Sequence, residues 1–276
     1  MRSAAYEAPV WHVTRPTRPS RMAGVSMAGF RDRGRSPGGH RAIPHPGVTL
    51  AVEFGAAPLI VNAPGRQLRG SVVVGLGFGP GELRVRGEYF EAVQIRLSPL
   101  VARAVLGVSP ADLNGAVVAL DDLWGREASR IREQLSEVPS WEGRFALTDA
   151  LLARRHETGA SVDPEVAWAW RRVISSRGLV RVDGLADEVG WSRKRLWSRF
   201  RSQIGLPPKR AAKLVRFDHA VHRLAAGDGA ARVAAESGYA DQSHLHRDVV
   251  AFTGVTPATV AGEPWLAIDD FAWPSR

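Results

Sequence analysis

At 276 residues the chain is long enough for two domains, each able to bury its own apolar core. A hydrophobic share of 45% with 24% charged residues excludes a disordered chain, and a net charge of +9 favours a polyanionic partner. Cysteine is absent, which removes disulfides, thiolate zinc sites and cysteine nucleophiles together, and no stretch nears the roughly 18 consecutive apolar residues of a membrane span. With no signal-peptide core at the start, the chain is read as cytoplasmic and nucleoid-associated, with no membrane partner.

Residues 1–18 read as a flexible basic tail. Arginines at 2, 15, 18, 21, 31, 33, 35 and 41 stand against only Glu7 and Asp32 over the first forty or so residues. A solvated tail leading into a first strand at Met22–Phe30 outweighs a nucleic-acid arm. From Gly47 to Leu97, short runs rich in Val, Leu, Ile and Phe alternate with Gly and Pro: Val48–Phe54, Leu59–Asn62, Ser71–Leu76, Leu83–Arg86 and Ala92–Leu97. They predict strands of a small antiparallel, cupin-like β-barrel or sandwich. Gly75, Gly77, Gly79 and Gly81 look like a phosphate loop, but Pro80 takes the last glycine position and a strand follows where a helix is needed, so a hairpin turn is expected.

After Ser98-Pro99 the spacing turns helical, through Leu100–Leu106, Asp121–Leu135 and Trp141–Arg155. Asp121-Asp122 fits a helix cap better than a pair of catalytic acids. Residues 19–158 thus form an α+β domain. Asp163-Pro164 then supplies an acidic cap and a first-turn proline for a helix reaching Arg177-Gly178, and only helices follow. The expected divisions are a domain at 163–262 and a tail at 263–276.

Within 163–262, Leu185, Ala186 and Val189 form a short apolar stripe, Gly190 ends that helix and Ser192 caps the next. Leu196, Phe200 and Ile204 recur at i, i+4 and i+8, which turns Lys194, Arg195, Ser198 and Arg201 outward. Between Glu188 and Asp218 no acid interrupts Arg193, Lys194, Arg195, Arg199, Arg201, Lys209, Arg210, Lys213 and Arg216. Such a run calls for an external anion, and phosphate is the obvious one.

The pattern then recurs. Val233 and Ala234 precede Gly238, Asp241 is placed to cap, and Leu245, Val249 and Phe252 form the buried stripe of another helix whose outward residues are Ser243, His246 and Arg247. A linker helix over Pro207–Ala226, with Leu214, Phe217, Val221 and Leu224 three and four apart, joins the two halves. A helix fits the major groove, and two held about 34 Å apart enter successive groove faces on one side of a duplex.

The segments Leu185-Ala-Asp-Glu-Val-Gly190, Ser192 to Phe200, Gly205-Leu-Pro-Pro-Lys209, Gly238-Tyr-Ala-Asp-Gln-Ser-His-Leu245 and Gly254-Val-Thr-Pro257 resemble the AraC/XylS transcription regulators over roughly residues 163–261. The resemblance implies sequence-specific binding of double-stranded operator or promoter DNA. It places Lys194, Trp197 and Ser198, and Gln242, Ser243 and His246, where family members meet bases, and Arg247 at a backbone position. The family commonly has arginine where this chain has Ser198, with Arg199 one step round the helix. The DNA-binding set is therefore Arg193, Lys194, Arg195, Trp197, Ser198, Arg199, Arg201, Gln242, Ser243, His246 and Arg247. The stretch from Met22 to Arg155, with Arg96-Leu-Ser-Pro-Leu100 and Leu120-Asp-Asp-Leu-Trp-Gly125, resembles the β-plus-helix domain of some actinobacterial-type members. The expected partners beyond DNA are thus a small-molecule effector, RNA polymerase and a second copy of the chain.

Among rival readings, alkyl-transfer DNA repair lacks its cysteine nucleophile, and a nonspecific architectural protein remains as the alternative. Neither His219 with His222 nor His244 with His246 has carboxylates at ligand spacing. No metal, cofactor or enzymatic activity is expected.

Overall fold

A computed structural model describes residues 5–7, 11–32, 39–78, 83–87, 89–113 and 115–273. Gly79, Pro80 and Gly81 of the glycine run lie outside them, as do Arg2, Arg33 and Arg35.

The N-terminal part is α+β and its strands form two antiparallel sheets. The first runs in the order β1 (Ala5–Glu7), β2 (Trp11–Thr14), β3 (Val25–Asp32), β10 (Glu91–Leu97), β5 (Val48–Glu53), β8 (Val72–Val74) and β11 (Val117–Ala119). The second runs β4 (His40–Arg41), β9 (Arg84–Arg86), β6 (Ile60–Ala63) and β7 (Arg66–Arg69). Of the expected barrel or sandwich, the sheets take the open form.

Strand β10 shows why the layers stack. Its register sets Gln94 beside Ala51 and Ala28, and Arg96 beside Thr49 and Ser26, so that Ala92, Gln94 and Arg96 share one face. That face meets the second sheet across a cavity also lined by Val61, Leu83 and Val85. The alternate residues Val93, Ile95 and Leu97 are fully buried on the other side. Burial on both faces explains the nearly continuous apolar run. Helices α1 (Pro99–Leu106), α2 (Leu120–Trp124), α3 (Arg126–Glu137) and α4 (Trp141–Thr158) complete this part, the predicted helix at Asp121–Leu135 being divided at Gly125.

The C-terminal part is all helix: α5 (Pro164–Ser175), a 3-10 turn at Val182–Gly184, α6 (Leu185–Glu188), α7 (Arg193–Ile204), α8 (Pro208–Ala225), α9 (Ala230–Glu236), α10 (Gln242–Thr253), α11 (Pro257–Ala261) and α12 (Pro264–Ala272). Leu196, Phe200, Ile204, Leu214, Phe217, Val221, Leu245 and Val249 are all fully buried, and the rings of Phe217 and Phe252 lie 4.7 Å apart. The spacings at three and four residues thus close one core around α8.

Two expectations need correction. The segment 1–18 holds strand β2, whose Trp11 is 2% exposed and donates its indole N–H to Asp32 at 3.1 Å. The segment 263–276 holds α12, whose Trp265, Leu266, Ile268 and Asp269 are buried. These segments cover one another: the Trp265 ring stands edge-on to Trp11 at 5.2 Å and stacks on Phe30 at 5.8 Å. Each is too short to show a period of its own, so neither announces itself in the sequence.

The two parts meet elsewhere too. Ser109 Oγ donates to the Ser202 carbonyl at 2.6 Å, Arg210 donates to the Gly77 carbonyl at 3.2 Å, and Arg41 donates to Glu263 and to the Thr253 carbonyl. The described end of the glycine run therefore receives the loop between α7 and α8, with Leu206 against Gly77.

Candidate nucleic-acid interface

The two halves of the C-terminal domain are built alike from their turn residues. After α6, Gly190 takes a left-handed φ of 67°, and Ser192 Oγ accepts the Arg195 N–H at 3.2 Å to start α7. After α9, Gly238 takes φ 71°, and Asp241 Oδ1 accepts the His244 N–H at 2.6 Å to start α10. Helix α8 lies between them and its apolar stripe packs on both sides. Each unit is a helix, a tight turn and a second helix whose buried face fixes which residues look outward. Together they define a tandem helix-turn-helix domain.

On α7, Arg193, Lys194, Arg195, Ser198, Arg199 and Arg201 are exposed and Trp197 is half-buried. On α10, Gln242, Ser243, His246 and Arg247 are exposed. Every residue of the expected set therefore lies on one of the two second helices with solvent access.

The cationic run is less unopposed than its sequence. Arg199 makes a two-pronged contact to Asp163, Nε to Oδ2 at 2.7 Å and Nη2 to Oδ1 at 2.8 Å. These bonds hold the Asp163 carboxyl below its usual range. They also replace the expected cap, since the Asp163 side chain makes no capping bond to α5. Lys213 and Arg216 both reach Asp248 at 3.1 Å, on the buried side of α10. Arg216 also lies over the Tyr239 ring at 4.4 Å, and burial pushes the Tyr239 hydroxyl up to about 12. Arg195 stacks on Trp191 at 4.2 Å. Among the described residues of the run, Arg193, Lys194, Arg201 and Lys209 make no ion pair.

Asp248 and the buried Gln203, whose Oε1 accepts the Asp163 N–H at 2.8 Å, are the residues sequence reading missed, and Asp163, read as a helix cap, serves instead as the partner of Arg199. Asp248 could have been found at i+3 from Leu245, on the stripe side of α10. The pairing of Asp163 with Gln203 spans forty residues and carries no local signal.

Two of the four histidines weighed as metal ligands, His222 and His244, have protein partners. His244 Nδ1 is in hydrogen-bond contact with the Ala240 N–H at 3.3 Å, and its ring stands edge-on to Tyr239. His222 contacts the Asp218 carbonyl at 2.7 Å and Asp269 at 3.1 Å. No group of three or more His, Asp or Glu among the described residues is placed to hold a metal ion. No helix among the described residues is long and apolar enough to cross a membrane.

Residues 185–262 match the family model described as a helix-turn-helix domain. The chain thus carries a helix-turn-helix domain of the DNA-binding, transcription-regulating kind. No curated protein matches the chain. Among solved structures it is similar to ToxT from Vibrio cholerae O395, at 10% identity over 87% of this chain and 98% of that one, with a TM-score of 0.45. It is also similar to the C-terminal domain of AraT, a response regulator from Geobacillus stearothermophilus, at 17% identity over 37% and 87% with a TM-score of 0.35. The AraC-like transcriptional activator CuxR follows at 14% identity over 71% and 72% with a TM-score of 0.27.

Proposed function

We propose that the chain recognises a specific duplex sequence by setting α7 and α10 into successive major-groove segments. Lys194, Trp197 and Ser198 on α7, and Gln242, Ser243 and His246 on α10, meet base edges. Arg193, Arg195, Arg201 and Arg247 hold phosphates, joined by Arg199 when it leaves Asp163. The observation that carries this reading is the repetition of the whole device, turn glycine, side-chain cap and helix, with the polar set of each copy exposed. A lone cationic surface would bind any polyanion; two capped helices with Ser, Gln and His among the cations supply readout as well. Selection from random duplexes tests it. The expected result is an enriched motif in two halves about one helical turn apart, whereas an architectural binder returns no enriched motif.

The same reading makes the N-terminal domain a sensor. The space between its sheets is lined by apolar side chains from both, including Phe30, Val61, Val74 and Leu83, and such an enclosed apolar space is the natural seat of a small effector. A thermal shift of the full chain on adding a ligand for that space checks this part separately.

A further inference from the structure

The cavity between the sheets is small as it stands, about 70 Å³, against the roughly 300 Å³ and upward of ordinary ligand sites. Part of the space is taken by a side chain from the far end of the chain. Trp265 of α12 lines the cavity, 8% exposed, stacked on Phe30 and edge-on to Trp11. One turn further on, Asp269 forms a buried ion pair with Arg96, which lines the same cavity and also carries the Trp273 ring at 4.6 Å from its guanidinium. Trp265 and Asp269 are four residues apart and so share one face of α12. The helix thus presents to the sandwich an aromatic body and, beside it, one carboxylate on an arginine.

We propose that α12 is a built-in stand-in for the effector, and that the effector is a small apolar or aromatic carboxylate which displaces it. This rests on the reading of the cavity as the sensor site. The ligand's apolar body takes the place of Trp265, and its carboxylate takes the place of Asp269 on Arg96, so the arginine is never left buried without an anion. A nine-residue helix has little stability in water without packing, so α12 unravels once it is lifted from the sandwich.

The consequence reaches the DNA-binding domain through the other contacts of the same segment. Asp269 also meets His222 of α8, the helix between the two recognition units, and Glu263 at the head of α12 takes Arg41. The helix is a clasp between the sandwich and the second unit. Occupation of the cavity opens the clasp and frees that unit from the sandwich.

The test uses the full chain with indole-3-propionate, which joins the ring of Trp265 to a carboxylate, and uncharged 3-methylindole as control. Calorimetric titration is run on the native chain, Trp265→Ala, Asp269→Asn and a chain ended after Gly262, and hydrogen exchange is followed over residues 263–273. The expected result is binding of indole-3-propionate at least about tenfold tighter to the variants than to the native chain, because the native site must first expel its own occupant. Exchange over 263–273 in the native chain should rise on loading, and 3-methylindole should bind Trp265→Ala without raising exchange in the native chain. If the probe binds all forms alike, or binds while 263–273 stays protected, the stand-in is refuted and the sensor cavity survives. If 3-methylindole opens α12 equally, the carboxylate class is refuted. If the probe binds neither the native chain nor any variant, the sensor reading itself fails, and this proposal with it. Should the shortened chain not fold, the Asp269→Asn chain alone decides: its exchange over 263–273 must exceed that of the native chain before any probe is added.

Discussion

Arg199 of α7 grips Asp163, the residue just before α5, through both of its carboxylate oxygens. A cation that the sequence places among groove-facing residues is thus held by an internal anion in the free protein. Replacing Asp163 by Asn removes the charge that competes with phosphate. Because Arg199 no longer has to leave a charged partner before it holds a phosphate, Asp163→Asn should bind a selected duplex more tightly than the native chain at the same salt concentration, with the same slope of log K against log salt. A slope steeper by about 0.9 in a titration across salt concentrations would mean that Arg199 of the native chain stays with Asp163 in the complex.

Lys194 and Arg216 belong to the same cationic run but should behave differently. Lys194 is exposed with no ion pair, and Lys194→Ala should change which sequences are recovered in selection, with about 1–3 kcal/mol lost against the preferred base. Arg216 is tied to Asp248 and Tyr239, and Arg216→Ala leaves the buried Asp248 with a weaker set of partners. It should lower the melting temperature while preserving sequence preference. Lys213, paired to the same Asp248, should resemble Arg216 in kind and be milder, its side chain being half exposed.

Packing of the first unit gives a larger effect. Phe200 is fully buried beside Trp170, ring centres 6.4 Å apart, and Phe200→Ala should cost about 3–5 kcal/mol. Denaturant unfolding measures it, and DNA binding should fall with the folded fraction.

Gly190 and Gly205 both adopt a left-handed φ, yet their substitution should differ. A Cβ at Gly190 meets open space, so Gly190→Ala should cost only the conformational strain, about 1–2 kcal/mol. A Cβ at Gly205 would stand 2.7 Å from the Pro110 carbonyl oxygen, a backbone atom of the N-terminal domain. Gly205→Ala must therefore also push the domains apart. Limited proteolysis between them should accelerate in that variant and be unaffected in Gly190→Ala.

His219 lies on α8, and burial, reinforced by Arg177 and Arg223, lowers its pKa from 6.5. His40, beside Trp11, is lowered by burial as well. A histidine whose folded pKa is depressed binds fewer protons folded than unfolded, so unfolding takes up protons. Stability should fall as pH drops from 6.5 towards the lowered values and level off below them. Asp163, shifted the other way with respect to charge, adds a further loss only below about 4. Urea midpoints between pH 7.5 and pH 5 should follow this course, and His219→Gln should flatten it.

The tandem units were legible because their signals are local. Gly190 with Ser192, Gly238 with Asp241, and the stripes of α7, α8 and α10 each lie within one or two turns of sequence, and the structure places them as expected. What the sequence did not show was pairing at a distance. Trp11 on a four-residue strand and Trp265 on a nine-residue helix have meaning only together, and so do Asp163 and Arg199. Short strands such as β4 and β7, with polar or half-exposed residues, likewise take their form from their neighbours rather than from alternation.

The docking of Trp265 onto Trp11 has a bearing on synthesis. The ribosome makes the sandwich long before it makes α12, so the aromatic surface around Trp11 and Phe30 emerges uncovered and stays so while all of the helix-turn-helix domain is being translated. A nascent chain stalled before Trp265 carries an apolar opening that α12 covers in the finished protein. Such a chain is a natural client for a chaperone.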